Sequence, residues 1–371
     1  MPYIRYFYLF LQTRKFCKPA GLRWVVWFLL YTRAEIDCLR IGAICKDLPP
    51  EICPHAKTLL AFRLLRQNRQ GTSLRLTPEG YSLLQTCGFD YSIDKSYRCD
   101  PAVVQRRIQM AEIMMFFDRI GADVFLHSPI EGKDRLSFLS SVILRQKAAS
   151  NVLGNTKLFG FFYTPDTVYI PYRLDGSGLY TQNEERIFHA NGLLLDNPPA
   201  VIYTGQGSLE LLIQQLMIQS SKKAKDHTDS YKLAMQKFSC PVCLVPLSED
   251  GLRQFRIMTV PGYKEKLCRY LMSTQYMEPQ DQWHDAINSK SGERYQIGFD
   301  FNFKDFDKGM PKHLIVLEFQ REAAQKLLTG QDIILHVMNI RKAEQILKLP
   351  ENLPELAAEP YKTREGGYLT V

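Results

Sequence analysis

The chain has 371 residues, 45% hydrophobic and 23% charged, with a formal net charge of +8. Such a length exceeds one core of usual size and predicts two or three domains, and the composition excludes a disordered chain. The charge is uneven: residues 1–87 hold 13 Lys and Arg against 5 Asp and Glu, while the other 284 residues hold 34 of each.

All of the positive excess therefore lies in the first quarter of the chain. A polyanion-binding module needs that concentration, because each phosphate it neutralises releases counterions. Nine cysteines, at 17, 38, 45, 53, 87, 99, 240, 243 and 268, show no disulfide-type spacing. Their odd number favours a reducing, cytoplasmic setting.

Two apolar stretches near the start, YIRYFYLFLQ and LRWVVWFLLY, are separated by Thr13, Arg14, Lys15 and Lys18. Neither approaches the ~18–20 apolar residues that span a bilayer. No small-residue cleavage site follows the first. Residues 1–20 read as an N-terminal extension with no membrane partner expected, although a surface role for residues 1–12 is an alternative.

Residues 22–32 are predicted as a first core helix, and AEIDCLRIGAI as a second, broken by LPPEICP. A third helix is predicted over 54–67, with Pro54 in its first turn. Leu59, Leu60, Phe62, Leu64 and Leu65 give it an apolar face, and Lys57, Arg63 and Arg66 lie away from most of that face. Asn68 to Gly71 turn the chain, and Ser73-Leu74-Arg75-Leu76 alternates as a strand. Thr77 caps a further helix that begins at Pro78, with Glu79 favoured by the helix dipole.

Helices followed by a Gly-turned hairpin and a Thr-Pro-Glu-Gly helix start resemble a winged helix-turn-helix over residues 21–90. On that reading Lys57, Arg63 and Arg66 lie on or near the recognition helix. Arg69, Arg75 and the amides near Gly71 meet phosphates of double-stranded DNA. Such modules also serve as protein-interaction adaptors with solvated arginines; the location of the charge favours DNA.

A long amphipathic helix, PAVVQRRIQMAEIMMFFDRIGA, follows, then an apolar strand DVFLH and an irregular or weakly helical stretch over 128–157. LFGFFY and VYIPYR read as a hairpin around Thr164-Pro165-Asp166-Thr167. NEERIFHANGLLL is a helix, AVIYT a strand and SLELLIQQLMIQ a helix. These make an α/β domain over 100–220. A polar linker lies at 221–232, a mixed α/β block at 236–350 has strands near 241–247, 295–301, 313–319 and 332–337, and a tail covers 351–371. No internal repeat is visible. The expected class is α+β, and residues 101–121 offer a helix for a homodimer contact.

RLTPEGYSLL, VVQRRIQMAEIMMFFDRIGADVF and NVLGNTKLFGFFYTPDTVYIPYRLDG, with the EER helix and PLSEDGLRQF at 246–255, together resemble replication-relaxation-type proteins. That family occurs on plasmids and integrative elements of Gram-positive bacteria. The likeness covers roughly residues 22–260 and rests on diffuse patterns of hydrophobicity and turns. It implies an N-terminal winged helix, a C-terminal α/β domain and a role in maintaining or transferring mobile DNA beside other mobile-element proteins.

The α-β-β-β-α-β order of 101–204 also resembles restriction-endonuclease-type nucleases. Those enzymes hold Mg²⁺ with a strand-start Asp and a Glu/Asp-x-Lys on the next strand, activating water for phosphodiester cleavage. VYIPYR carries no carboxylate; Asp166 lies in the preceding turn, and Glu184 and Glu185 on the following helix. Asp300, with Glu318-x-Gln320, imitates the same spacing with Gln in place of Lys. The expected reading is accordingly a non-catalytic scaffold without a cofactor. The alternative is a Mg²⁺-dependent nuclease using Asp166 with Glu184 or Glu185, or Asp300 with Glu318.

CPVC at 240–243 has half of a zinc-ribbon spacing, but its apolar context predicts buried free thiols on a strand. No GxxxxGK loop, GxSxG elbow or HExxH helix occurs, and the seven histidines are isolated in sequence.

Overall fold

The computed structural model describes residues 33–50, 56–68, 71–91, 100–129, 131, 135–147, 153, 156–174, 182–195, 197–223, 235, 240–281, 283–303 and 313–350. The expected extension, first helix, tail, Arg69 and most of the 221–232 linker lie outside them. The described residues form an α+β protein with eleven α-helices and three sheets. The described residues divide into two compact units, one up to residue 115 and one from residue 116 onward.

In the first unit, α1 (Arg33–Cys45) buries Ile36, Leu39, Ile41 and Ile44, which at 3.6 residues per turn cover more than one face, so the helix is packed on several sides. Beyond it Leu48 bridges Leu74. The next helix, α2 (Ala56–Ala61), is far shorter than the 54–67 expected. Leu64 N–H donates to the Leu59 carbonyl and Arg63 N–H to the Leu60 carbonyl, which is a Schellman termination. Arg63 occupies its left-handed position at φ 59, where glycine is usual. No glycine marks the stop, so periodicity alone runs on through it.

Released from the helix, β1 (Leu65–Gln67) pairs antiparallel with β2 (Leu74–Leu76), with Leu65 opposite Leu76 and Arg66 opposite Arg75. Helix α3 (Pro78–Thr86) then starts as expected: the Thr77 hydroxyl oxygen accepts from Gly80 N–H at 3.1 Å, and the hydroxyl donates to the Arg63 carbonyl at 2.7 Å. A Cβ on Gly80 would stand 2.5 Å from the Leu64 carbonyl oxygen, so this position needs glycine for close approach. The division between units falls within α4 (Pro101–Arg119).

The second unit holds two five-stranded sheets. The first contains, in spatial order, β3 (Ser137–Ser140), β4 (Gly160–Tyr163), β5 (Val168–Arg173), β6 (Pro199–Gly205) and β7 (Val242–Pro246). Its pairings run antiparallel, antiparallel, parallel, parallel. The second contains β8 (Tyr276–Met277), β9 (Ala286–Asn288), β10 (Arg294–Ile297), β11 (His313–Leu317) and β12 (Ile334–Met338), with the same order and the same sequence of pairings. One winding is thus used twice, without a repeat that could be read in the residues.

The connecting helices of the first sheet are α5 (Ser141–Lys147), α6 (Gln182–Ala190) and α7 (Leu209–Lys223). Helices α8 (Glu249–Met258) and α9 (Tyr263–Met272) lead into the second sheet, which adds α10 (Arg321–Leu327) and α11 (Ile340–Ile346). Two expectations change. The strand predicted at DVFLH is a single bridge, Asp123 to Ser137, and the edge strand is β3, inside the stretch expected to be irregular. All four β3 residues are buried, so it lacks the alternation that would signal a strand. The block expected from 236 onward gives its first strand, β7, to the sheet of residues 137–205.

Phe117, Phe138, Phe162, Tyr169 and Phe255 form one aromatic core, with Phe117 4.6 Å from Phe162 and 5.4 Å from Phe255 between ring centres. Among the described residues no helix is long and apolar enough to cross a membrane.

Candidate functional site

Two features carry chemistry: a basic hairpin in the first unit and an acidic cavity in the second. On the hairpin, antiparallel register decides which arginines face outward unencumbered. The Leu48–Leu74 bridge sets residue 47 across from residue 75, and β1 sets residue 66 on the other side of it. Asp47 is fully buried and accepts from Ser73 Oγ at 2.8 Å and from Arg75 Nε at 3.0 Å. Its second oxygen meets Arg107 Nη1 at 3.5 Å. Arg75 is therefore neutralised within the module, which also relieves the repulsion of two like charges opposite each other on the hairpin.

Lys57, Arg63 and Arg66 are exposed. Among the described residues none of their side chains makes an ion pair. The module's acids are arranged the other way. Of the four carboxylates described between residues 33 and 86, Glu35, Asp37 and Asp47 are buried and Glu79 alone is exposed. Asp37 is pushed upward by burial against the pull of Arg40 and Arg33, which bracket it at 2.9 and 3.3 Å. Asp37 and Asp47 thereby engage Arg33, Arg40 and Arg75 within the module, leaving Lys57, Arg63 and Arg66 as exposed cations with no ion pair among the described residues.

In the second unit, Asp166 and Asp300 line one cavity of about 530 Å³. Glu318 lies on the wall of a different one and accepts from Asn339 Nδ2 at 2.9 Å. Neither Glu184, buried on α6, nor Glu185 lines the Asp300 cavity. The pairings expected from sequence, Asp166 with Glu184 or Glu185 and Asp300 with Glu318, are not what the fold assembles. Asp300 meets Lys264 Nζ at 3.0 Å instead, with Asp285 nearby on the same wall.

The local reasons are clear. Asp285 immediately precedes β9, and its carboxylate accepts from Ile297 N–H at 2.7 Å, tying it to the end of β10. Asp300 sits three residues beyond β10 in a turn held from several sides. Leu244 N–H of β7 donates to its carbonyl, and the Phe299 carbonyl accepts from both Gln254 Nε2 at 2.6 Å and Gln320 Nε2 at 2.8 Å. Helix α9 starts after Gly262, and buried Tyr263 stacks on Phe299, which brings the next residue, Lys264, to the cavity. Burial works against the Lys264 charge, but Asp285 and Asp300 outweigh it and raise its pKa. Burial pushes the Asp285 carboxyl up in spite of Lys264.

Beside them, Asp281 grips His284 Nδ1 at 2.7 Å and also accepts the Trp283 and His284 amides. Those donors outweigh desolvation and hold Asp281 below its ordinary value. The His284 ring is wholly buried, and its Nε2 has no hydrogen-bond partner among the described residues. Among those residues no three His, Cys, Asp or Glu side chains converge to hold a metal ion by themselves. Cys240 and Cys243 are both buried, as CPVC in an apolar strand predicted. Sequence reading missed Asp285 and Lys264. Asp285 had a local sign, a carboxylate just before one strand of a hairpin whose far end leads to Asp300; Lys264 had none.

Comparison with known proteins returns no match to a family model, to a curated protein or to a solved structure.

Proposed function

We propose that the first unit contains a winged helix-turn-helix and that the chain is a duplex-DNA-binding protein of a mobile genetic element, acting in its replication, its transfer or their regulation. The observation that carries this reading is the segregation of charge: among the described residues Lys57, Arg63 and Arg66 stand exposed and without carboxylate partners, while three of the four acids described there are turned inward. The hairpin β1–β2 is the wing, α2 the end of the recognition element, and Arg66 the phosphate contact on the wing. Arg75 leaves the contact set, because Asp47 already holds it.

The left-handed Arg63 sharpens the test. A non-glycine residue there costs about 1 kcal/mol of backbone strain, which persists where function needs the side chain. Arg63→Gly should therefore stabilise the fold and weaken duplex binding at the same time. Fluorescence anisotropy with random-sequence duplex, titrated with salt, reads the second effect. Losing Arg63 and Arg66 together should flatten the log K against log salt slope by about 1.8, at ~0.9 per phosphate contact. No affinity at low salt in the parent protein, or an unchanged slope in Arg63→Gly/Arg66→Ala, rejects the reading. Selection from random duplex then gives the preferred sequence.

A further inference from the structure

The two sheets of the second unit have four edges, and three of them are closed or short. The edge at β3 is bridged by Asp123, whose carbonyl accepts from Phe138 N–H at 2.8 Å. At β7 the Asp300 turn closes it: Leu244 N–H donates to the Asp300 carbonyl at 3.1 Å, and Gln254 Nε2 donates to the Leu244 carbonyl at 2.8 Å. Strand β8 has only two residues. The fourth edge is β12, which holds in the second sheet the place that β7 holds in the first. It pairs with β11 over all five residues, and among the described residues no backbone hydrogen bond closes its other side. Native sheets protect such an edge with lysine, proline, a bulge or short length. The run Ile333 to Met338 contains no charged residue, proline or glycine, and its ladder with β11 keeps regular register. Ile334 is 44% and Val337 41% exposed, on opposite faces, whereas every residue of β7 and β11 is buried. Exposed Leu271 of α9 lines the same cavity as Val337 and widens the apolar strip on that side.

The residues flanking the strand indicate its partner. Asp332 precedes it, Arg341 and Lys342 follow it, and all three are exposed and make no ion pair among the described residues. We propose that β12 pairs antiparallel with β12 of a second copy of the chain, about a twofold axis at His336, joining two five-stranded sheets into one of ten strands. That axis sets Ile334 opposite Met338 and Leu335 opposite Val337, so all five positions are used and apolar residues face apolar ones. It also brings the acidic end of each strand to the basic end of the other, Asp332 toward Arg341 and Lys342, twice over. A parallel pairing would gather like charges at both ends. The contact is isologous, so it closes on two copies and does not propagate.

The test is sedimentation equilibrium of the full chain, whose mass should rise with concentration from 42.9 kDa to twice that value. Ile334→Lys/Val337→Lys should weaken association about tenfold or more, because ammonium groups then stand in the new ladder against apolar partners. Asp332→Lys should weaken it too, and adding Arg341→Asp/Lys342→Asp should restore it, a rescue that general damage to the fold does not give. Oxidation reads the register. His336→Cys should crosslink two chains, since its Cβ stands ~4.5–5.5 Å from its symmetry mate. Ile334→Cys, about 14 Å from its own mate, should add no crosslink beyond those of the parent oxidised alongside. Arg63→Gly/Arg66→Ala should leave association unchanged, so this surface and the DNA reading fail separately. A parent of one chain mass at every concentration overturns the proposal and leaves the edge to the tail at 351–371 or to another protein. So does a dimer that survives Ile334→Lys/Val337→Lys unaltered, as one made through α4 would, or a crosslink in Ile334→Cys and none in His336→Cys.

Discussion

Replacing Asp47 by Asn tests the electrostatic lock under the hairpin. The residue is fully buried and serves Ser73, Arg75 and Arg107 at 2.8, 3.0 and 3.5 Å. At an effective dielectric of ~20, a charge pair 3 Å apart attracts by roughly 5 kcal/mol before desolvation is subtracted. Removing one partner of a buried pair costs about 3–5 kcal/mol net. Arg75 and Arg107 retain 21% and 18% side-chain exposure and can partly rehydrate, which selects the low end, about 3 kcal/mol. The amides of Leu48 and Leu74, which bond each other's carbonyls, report it directly. Their hydrogen exchange should quicken on the order of a hundredfold, at ~1.4 kcal/mol per decade. Adding Arg75→Met should restore about 1 kcal/mol through coupling of the pair. Exchange within about threefold of the parent would refute the lock, and with it the removal of Arg75 from the DNA-contacting set.

Three further outcomes follow from packing and charge. Gly251→Ala sets a Cβ 1.9 Å from the Pro246 carbonyl oxygen at the start of α8, so thermal melting should reveal a loss of about 3 kcal/mol, the upper end for overpacking against backbone. Gln254→Leu removes a donor from the Leu244 carbonyl and one of the two donors from the Phe299 carbonyl, and should cost about 1–3 kcal/mol in a urea melt, with faster amide exchange around Asp300. Asp285→Asn should stabilise the chain: its carboxyl is raised in the fold by burial, so ionisation subtracts stability as pH rises from its unfolded value of 3.8 through the folded one. The gain in melting temperature over the parent should thus be absent in acid and present at neutral pH; a gain independent of pH contradicts it.

How much could be read from residues differed by element. Thr77-Pro78-Glu79-Gly80 announced α3 because capping, proline placement and close approach are all local requirements. The β4–β5 hairpin was legible for the same reason: its turn residues adjoin its strands. What escaped was non-local. Arg63 ends α2 without a glycine, so the arginines expected on one helix divide between a turn and a strand. Arg75 looked free until the bridge at Leu48 brought Asp47 beside it. Asp300 was noticed, but its partners Lys264 and Asp285 reach it only through the packing of α9 and two strands.

The twofold use of one winding bears on how the chain reaches its native state. In the second sheet β8, β9 and β10 lie within residues 276–297, so hairpin closure spans short loops, whereas β11 and β12 pair only after crossovers. Local pairings form in microseconds and distant ones later, so each half should assemble its meander first and wind on its parallel strands afterwards. The β6-to-β7 crossover, from Gly205 to Val242, is the longest interval between paired strands of that unit, which makes closure of β7 the slow step and leaves the edge of β6 briefly open to other chains.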